Sequence, residues 1–172
     1  MTGFTFISGN LGLDFAGTMQ HRRSDRRELL SGPADLGRWL VEAAVLDAPP
    51  HVVSLEPALA LREAIYDLAT PSRTAAAARD VVNRVAAAPP VTVRLTADGV
   101  QRMGDLDAAL STVARSAVEL LGGPALAGVR ECGDEHCTRL YVDTSRARSR
   151  RWCDMQVCGN RAKAAGFRAR HA

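Results

Sequence analysis

No apolar run in the 172-residue chain approaches the ~20 residues a membrane-spanning helix needs, which excludes a protein built on such helices. The opening, Met1-Thr2-Gly3-Phe4-Thr5-Phe6, lacks the basic flank and apolar stretch of a secretion signal, so a cytoplasmic location is expected. Catalytic signatures are missing as well. There is no His-Glu-x-x-His, no phosphate-binding glycine loop ending in Lys-Ser or Lys-Thr, and no nucleophile elbow, so an enzyme is not expected. Aromatic residues make up only 5%, and one lysine, Lys163, stands among 22 basic residues. Cysteine is confined to the last quarter, at Cys132, Cys137, Cys153 and Cys158.

What is present is ordinary in amount and uneven in place. Hydrophobic residues at 47% and charged ones at 24% suit a soluble globular chain of one or two domains. Residues 1–129 hold twelve basic and fourteen acidic side chains, net −2, whereas residues 130–172 hold ten and five, net +5. From 145 to 170 the count is eight basic against one acidic, Asp154. The basic excess and the cysteines therefore coincide.

Periodicity predicts an α+β, mainly helical chain. Phe4 and Phe6, then Leu11, Leu13 and Phe15, alternate with other residues around a Ser8-Gly9-Asn10 turn and suggest a short strand or two. The stretch from Gln20 to Glu28 reads as a solvated loop in which Arg22, Arg23, Arg26 and Arg27 are partly neutralised by Asp25 and Glu28. Three helices follow. One starts at Pro33 with Leu36, Trp39, Leu40 and Ala43 as its stripe, one near Ser54 with Ala58, Leu61, Ile65 and Leu68, and a third carries Ala78, Val81, Val82 and Val85. Val91 to Thr96 alternates strictly and meets Asp98-Gly99, predicting a half-buried strand that enters a hairpin with Val100 and Met103. A fourth helix from about Asp105 to Leu121 ends at Gly122-Gly123-Pro124, where a left-handed glycine cap is expected. That tripeptide divides a mainly helical domain, 1–124, with a short hairpin or few-stranded sheet, from a small module, 125–172, of hairpin and helix.

The cysteines follow Cys132-x4-Cys137, fifteen intervening residues, and Cys153-x4-Cys158. Two close pairs joined by a hairpin-sized insert supply four thiolates to one tetrahedral zinc with short closing loops. Two disulfides are the alternative, disfavoured in a reducing compartment. About forty residues with few bulky apolar side chains sit near the ~40-residue size below which a core alone rarely suffices, so zinc is expected to supply folding free energy. Four thiolates saturate the metal, leave no position for an activated water and make the site structural. His136 could compete as a ligand but reads as an exposed knuckle residue. Asp154, Asn160 and Arg161 are candidates to hydrogen-bond around the thiolates, whose complex with zinc carries net −2.

Beyond spacing, particular residues carry a family resemblance. Cys132-x4-Cys137, Leu140-Tyr141-Val142-Asp143-Thr144-Ser145, Arg150-Arg151-Trp152-Cys153-Asp154-Met155 and Cys158-Gly159-Asn160-Arg161 resemble the CGNR zinc-finger family, bacterial proteins regarded as stress-induced transcription regulators. The resemblance covers about residues 130 to 170. Proteins of that family usually carry an amino-terminal ABATE domain opening Leu-x-Leu-Asp-Phe-x-Asn-Thr, and Leu11 to Thr18 is similar, with Gly17 in place of the asparagine. Asp14 and Thr18 there read as local caps of a turn. The resemblance implies a treble-clef-like or ribbon-like zinc module thought to bind DNA.

DNA binding and transcription regulation are thus the leading expectation. Arg146, Arg148, Arg150, Arg151, Arg161, Lys163 and Arg168 are the candidate contacts, because guanidinium forks suit phosphates and guanine edges. Arg146, Arg148 and Lys163 are expected to be more exposed than Arg151, which abuts a ligand. Each arginine has a second reading as a partner of the zinc cluster. The alternative function is a zinc-stabilised protein-interaction or thiol redox module without DNA. A homodimer through the amino-terminal domain and a small-molecule effector bound there are further expectations.

Overall fold

A computed structural model describes residues 3–51, 54–70 and 75–171, apart from the Arg170 side chain, and the basic position there lies outside the described residues. Its elements in chain order are α1 (Leu11–Ala16), β1 (Met19–Gln20), β2 (Arg27–Glu28), α2 (Pro33–Glu42), α3 (Leu55–Ala69), α4 (Ala75–Ala86), β3 (Thr92–Thr96), β4 (Gly99–Met103), α5 (Leu106–Gly122), β5 (Val129–Glu131), β6 (Leu140–Val142) and α6 (Asn160–His171). Helices dominate, and the described strands form three separate antiparallel pairs, β1 with β2, β3 with β4 and β5 with β6.

The apolar stripes of α2 to α5 bury one core. Trp39, Leu36 and Leu40 share one buried cluster with Ala58, Leu61 and Ile65 of α3 and Ala109, Leu110 and Val113 of α5, with Phe15 tilted against Trp39 at 4.8 Å. Pro33 sits in the first turn of α2, where its missing N–H costs nothing. Asp105 caps α5 by accepting from the Ala108 N–H at 2.9 Å.

Five expectations are corrected. Residues 11–16 form a helix, because Asn10 accepts from the Gly12 and Leu13 N–H groups and so starts a turn that alternation alone does not reveal. Gly12 also lies so close to α5 that a Cβ there would stand 2.8 Å from the Ala117 methyl. Residues 3–10 form no strand and are tied down by Asp14, whose Oδ1 accepts from Ile7 and Ser8 at 3.1 and 3.0 Å. The loop of residues 21–26 is not merely solvated. Arg22 turns inward, pairs with Glu63 and lies 4.0 Å over the Tyr66 ring.

The β3–β4 hairpin forms in the expected register, Leu95 opposite Val100, but it is not half-buried, with Val93 65% and Leu95 83% exposed. Only Val91 at its root joins the core, since the hairpin projects beyond the helices. Finally, α5 ends on an extended Gly123 (φ −103°) and not through a left-handed residue. Glycine is required there for space, because a Cβ would lie 2.6 Å from the Glu119 carbonyl oxygen.

The carboxy-terminal segment is docked on this body. Leu140 and Val142 of β6 pack with Leu13 of α1 and Leu120 of α5, and the Val142 N–H donates to the Ser8 carbonyl at 2.8 Å.

Candidate metal centre

Each cysteine is placed by backbone that the flanking sequence dictates. Cys132 follows β5, and its N–H donates to the Arg139 carbonyl at 2.9 Å, closing the first knuckle. Asp134 shapes that knuckle. Its carbonyl accepts from Cys137 at 2.9 Å, its Oδ1 from the His136 N–H at 3.0 Å and its Oδ2 from Arg161 at 3.1 Å. Cys153 arrives on the strap after β6, with its N–H 3.4 Å from the Cys132 sulfur. Asp154 then caps the turn Met155–Gly159 through the Gln156 N–H at 2.6 Å, and that turn carries Cys158 to the start of α6.

The four sulfurs lie within 4.8 Å of one another, with Cys137 to Cys153 at 3.7 Å and Cys153 to Cys158 at 3.6 Å. A tetrahedron of Zn–S bonds near 2.3 Å has edges of about 3.8 Å, so the cluster fits one zinc ion. All four are free of disulfides and buried. His136 is exposed beside Glu135 and outside the cluster.

Without a metal the thiols cannot ionise independently. Hydrogen bonds from Cys137 and Cys153 hold Cys132 far below the ordinary thiol range. Hydrogen bonding with Cys132 raises Cys137 and Cys153 in turn, and burial pushes Cys158 up to about 12. Thiols must lose their protons to ligate zinc, so zinc uptake should release protons and its apparent affinity should climb with pH. Titrating zinc against a pH indicator in weak buffer measures this, and uptake without proton release would mean a cluster already ionised.

The basic residues divide by what they touch. Arg150 is committed to the scaffold. Its Nε donates to the Trp152 carbonyl at 2.9 Å, its Nη2 to the Cys153 carbonyl, and its guanidinium lies 4.4 Å over the Tyr141 ring. Buried Tyr141 returns a bond from its hydroxyl to the Arg150 carbonyl at 2.6 Å. Arg161 is exposed but held by Asp134. Arg146, Arg148, Lys163 and Arg168 are exposed, and among the described residues none of these side chains has an ion pair or hydrogen bond. Arg148 adopts φ +47° in a turn closed by its N–H on the Ser145 carbonyl. Arg151 is exposed as well, resting 5.2 Å over Trp152. The architectural member of the Arg150-Arg151 pair is therefore Arg150. Asp154 and Asn160 hydrogen-bond the backbone of the 155–159 turn, Asn160 donating to the Gln156 carbonyl at 2.9 Å, and neither bond reaches a sulfur.

Sequence reasoning missed what grips the first cysteine pair. Arg23 forms an ion pair with Glu131, next to Cys132, and the Arg22 N–H donates to the Thr138 hydroxyl, next to Cys137, at 3.1 Å. Arg139 donates to the Thr5 carbonyl at 3.0 Å, and Ile7 packs against the sulfur cluster. Polar residues flank the cysteines in the sequence, but no local pattern links positions 131 and 138 to a loop more than a hundred residues upstream. Along this seam runs a cavity of about 260 Å³, bounded by Ile7, Met19 and His21 on one side and Cys137, Arg139 and Cys158 on the other.

The four-sulfur cluster coincides with a family match. Residues 129–171 match the CGNR zinc finger, and residues 9–124 match ABATE, whose description reads "putative stress-induced transcription regulator". No curated protein matches the chain. With more than half of its length matched by one model and the cysteine cluster by the other, the chain belongs to the ABATE family and carries a carboxy-terminal CGNR zinc finger.

Proposed function

We propose that the protein is a transcription regulator that binds DNA through its zinc-finger module and acts by binding, without catalysis, in the cytoplasm. One observation carries the reading. Arg146, Arg148 and Arg151 on the strap and Lys163 and Arg168 on α6 are exposed cations with no carboxylate partner among the described residues, on a scaffold rigidified at four cysteines. Arg150, by contrast, is held on the Trp152 and Cys153 carbonyls.

Zinc, when bound, supplies folding free energy and fixes the two knuckles relative to each other. The chain's own residues do the rest. The Tyr141–Arg150 interlock and the Asp143 carboxylate, which accepts from Ser145 and Arg150 N–H groups at 2.9 and 3.0 Å, hold the strap and leave Arg146, Arg148 and Arg151 exposed. Stress induction is the role suggested by the family description. Pairing of two copies through the amino-terminal domain would double the phosphate contacts, and a small effector of that domain would have the seam beside the zinc finger as its route of communication.

The test is anisotropy of fluorescent random-sequence duplex DNA titrated with zinc-loaded protein over a range of salt. Five free cations should give log affinity against log salt a slope of roughly −4 to −5. A flat salt response, or no binding at low salt, overturns the proposal and favours the interaction or thiol redox module.

A further inference from the structure

Helix α6 is amphipathic in an unusual sense. Taking about 100° per residue, Ala162 and Ala165 face the groove they line with Trp152 and His136, and Arg161 and Arg168 stand at the rim of that groove. On the opposite side Asn160, Ala164, Phe167 and His171 fall in one strip about 60° wide, all exposed. Lys163 lies on one flank of that strip and Arg161 and Arg168 lie on the other. The crest carries no lysine, arginine or carboxylate, and both shoulders are basic. A solvated surface helix would ordinarily show the reverse, with charge along its outermost line.

The crest also exposes an aromatic ring. Phe167 is 57% exposed, yet it is not loose, because it stacks on the His171 ring at 4.2 Å with 23° between the planes, and a His171 ring nitrogen meets the Phe167 carbonyl at 2.9 Å. The protein thus holds an apolar face in water in a set orientation, at the cost of leaving its surface unburied. A crest without lysine, arginine or carboxylate between two basic rows matches the major groove. Base edges and thymine methyl groups line the floor of that groove, and phosphates line both walls. A helix about 10–12 Å across fits a groove about 12 Å wide, and twelve residues reach about 18 Å along it.

We propose that this strip is the face of α6 that enters the major groove of duplex DNA. Phe167, held flat by His171, packs on a thymine methyl group, while Lys163 and Arg168 contact phosphates on opposite walls. This rests on the DNA-binding reading above and adds to it the residues that read sequence. Contacts through Arg146, Arg148 and Arg151 are phosphate contacts and carry no base preference of their own.

The test uses the full-length zinc-loaded chain. Duplexes enriched from a random-sequence pool by the wild-type protein are compared with unselected duplex by anisotropy, for wild type, Phe167→Ala and Arg168→Ala. Phe167→Ala should lower the preference for the enriched duplex about tenfold and leave the salt slope unchanged. Arg168→Ala should weaken both duplexes alike and reduce the slope by about one. Replacing thymine by deoxyuracil in the enriched duplex removes only the methyl group. It should cost the wild type about what Phe167→Ala costs and cost that variant little more. Zinc content measured by chelator release confirms that each variant is folded around its metal. A Phe167→Ala protein that keeps both its preference and its sensitivity to deoxyuracil overturns the inference while leaving DNA binding standing. So does tighter binding to single-stranded oligonucleotide than to duplex, which would make the Phe167–His171 pair a base-stacking platform. Absence of duplex binding by the wild type removes the proposed function itself.

Discussion

Stripping zinc with a chelator, or replacing Cys153 with alanine, should lower the thermal midpoint of the whole chain and not merely melt its last forty residues. Cys153 lies 3.7 and 3.6 Å from two other ligand sulfurs, so its loss opens the cluster at its centre. The apparent binding free energy of structural zinc in small finger domains is about 10–16 kcal/mol, far more than this apolar-poor segment can replace. The module is not a pendant, however. Leu140 and Val142 bury themselves on Leu13 and Leu120, and the backbone of residues 3–10 is held by Val142 and Arg139. Losing two buried aliphatic contacts at about 1.5–3 kcal/mol each withdraws roughly 3–6 kcal/mol from the face of α1 and α5. Hydrogen exchange supplies the decisive measurement. Amide protection in α1 should fall on zinc removal, and unchanged protection there alongside a melted module would show the two parts to be energetically independent.

Arg62→Met should be the next most damaging change. Arg62 is only 3% exposed and sits within α3, its Nη1 2.6 Å from Glu28 and its Nε 2.8 Å from Glu63. Methionine keeps much of the aliphatic stem but leaves Glu28 without its cation, while Glu63 retains Arg22. Both carboxylates keep some solvent, so the cost sits at the lower end for a broken buried pair, about 3 kcal/mol, or roughly 6–12 °C in a chain of this size. Adding Glu28→Leu should recover part of the loss, because the uncompensated charge goes with it.

The same network sets an acid limb. Burial pushes Glu63 up, but hydrogen bonds and charge from Arg22 and Arg62 outweigh it and hold the carboxyl below its ordinary value. Its ionised form therefore stabilises the fold above about pH 4.5, and that contribution fades as pH falls through the lowered folded value. In Arg62→Met the fade should begin at higher pH, measurable as an upward shift of the acid unfolding midpoint by circular dichroism.

Legibility followed the range of the interactions involved. The Leu36, Trp39 and Leu40 stripe and the Ala58, Leu61 and Ile65 stripe could be read directly, since helical periodicity and burial arise from neighbours three or four residues away. Residues 11–16 alternate like a strand but are helical, because one capping side chain and close contact with Ala117 outweigh the pattern. The β3–β4 hairpin formed where its turn residues placed it, yet which of its faces would be covered depended on where the helices end. Arg150 and Arg151 are indistinguishable in sequence. Only the Tyr141 ring and two carbonyls behind it reserve one guanidinium for the scaffold and leave its neighbour facing solvent.

By itself, then, the amino-acid sequence determined the four ligands, their pairing into two knuckles, the helical core and the concentration of positive charge around the metal. Each of these depends on spacing, composition or local periodicity. Tertiary structure decided which cations are free, that the zinc finger is clasped by the loop carrying Arg22 and Arg23, and that Phe167 stands exposed between two basic rows. Those outcomes depend on contacts across more than a hundred residues and on which face of a helix meets the body, and neither is encoded in any short stretch of chain.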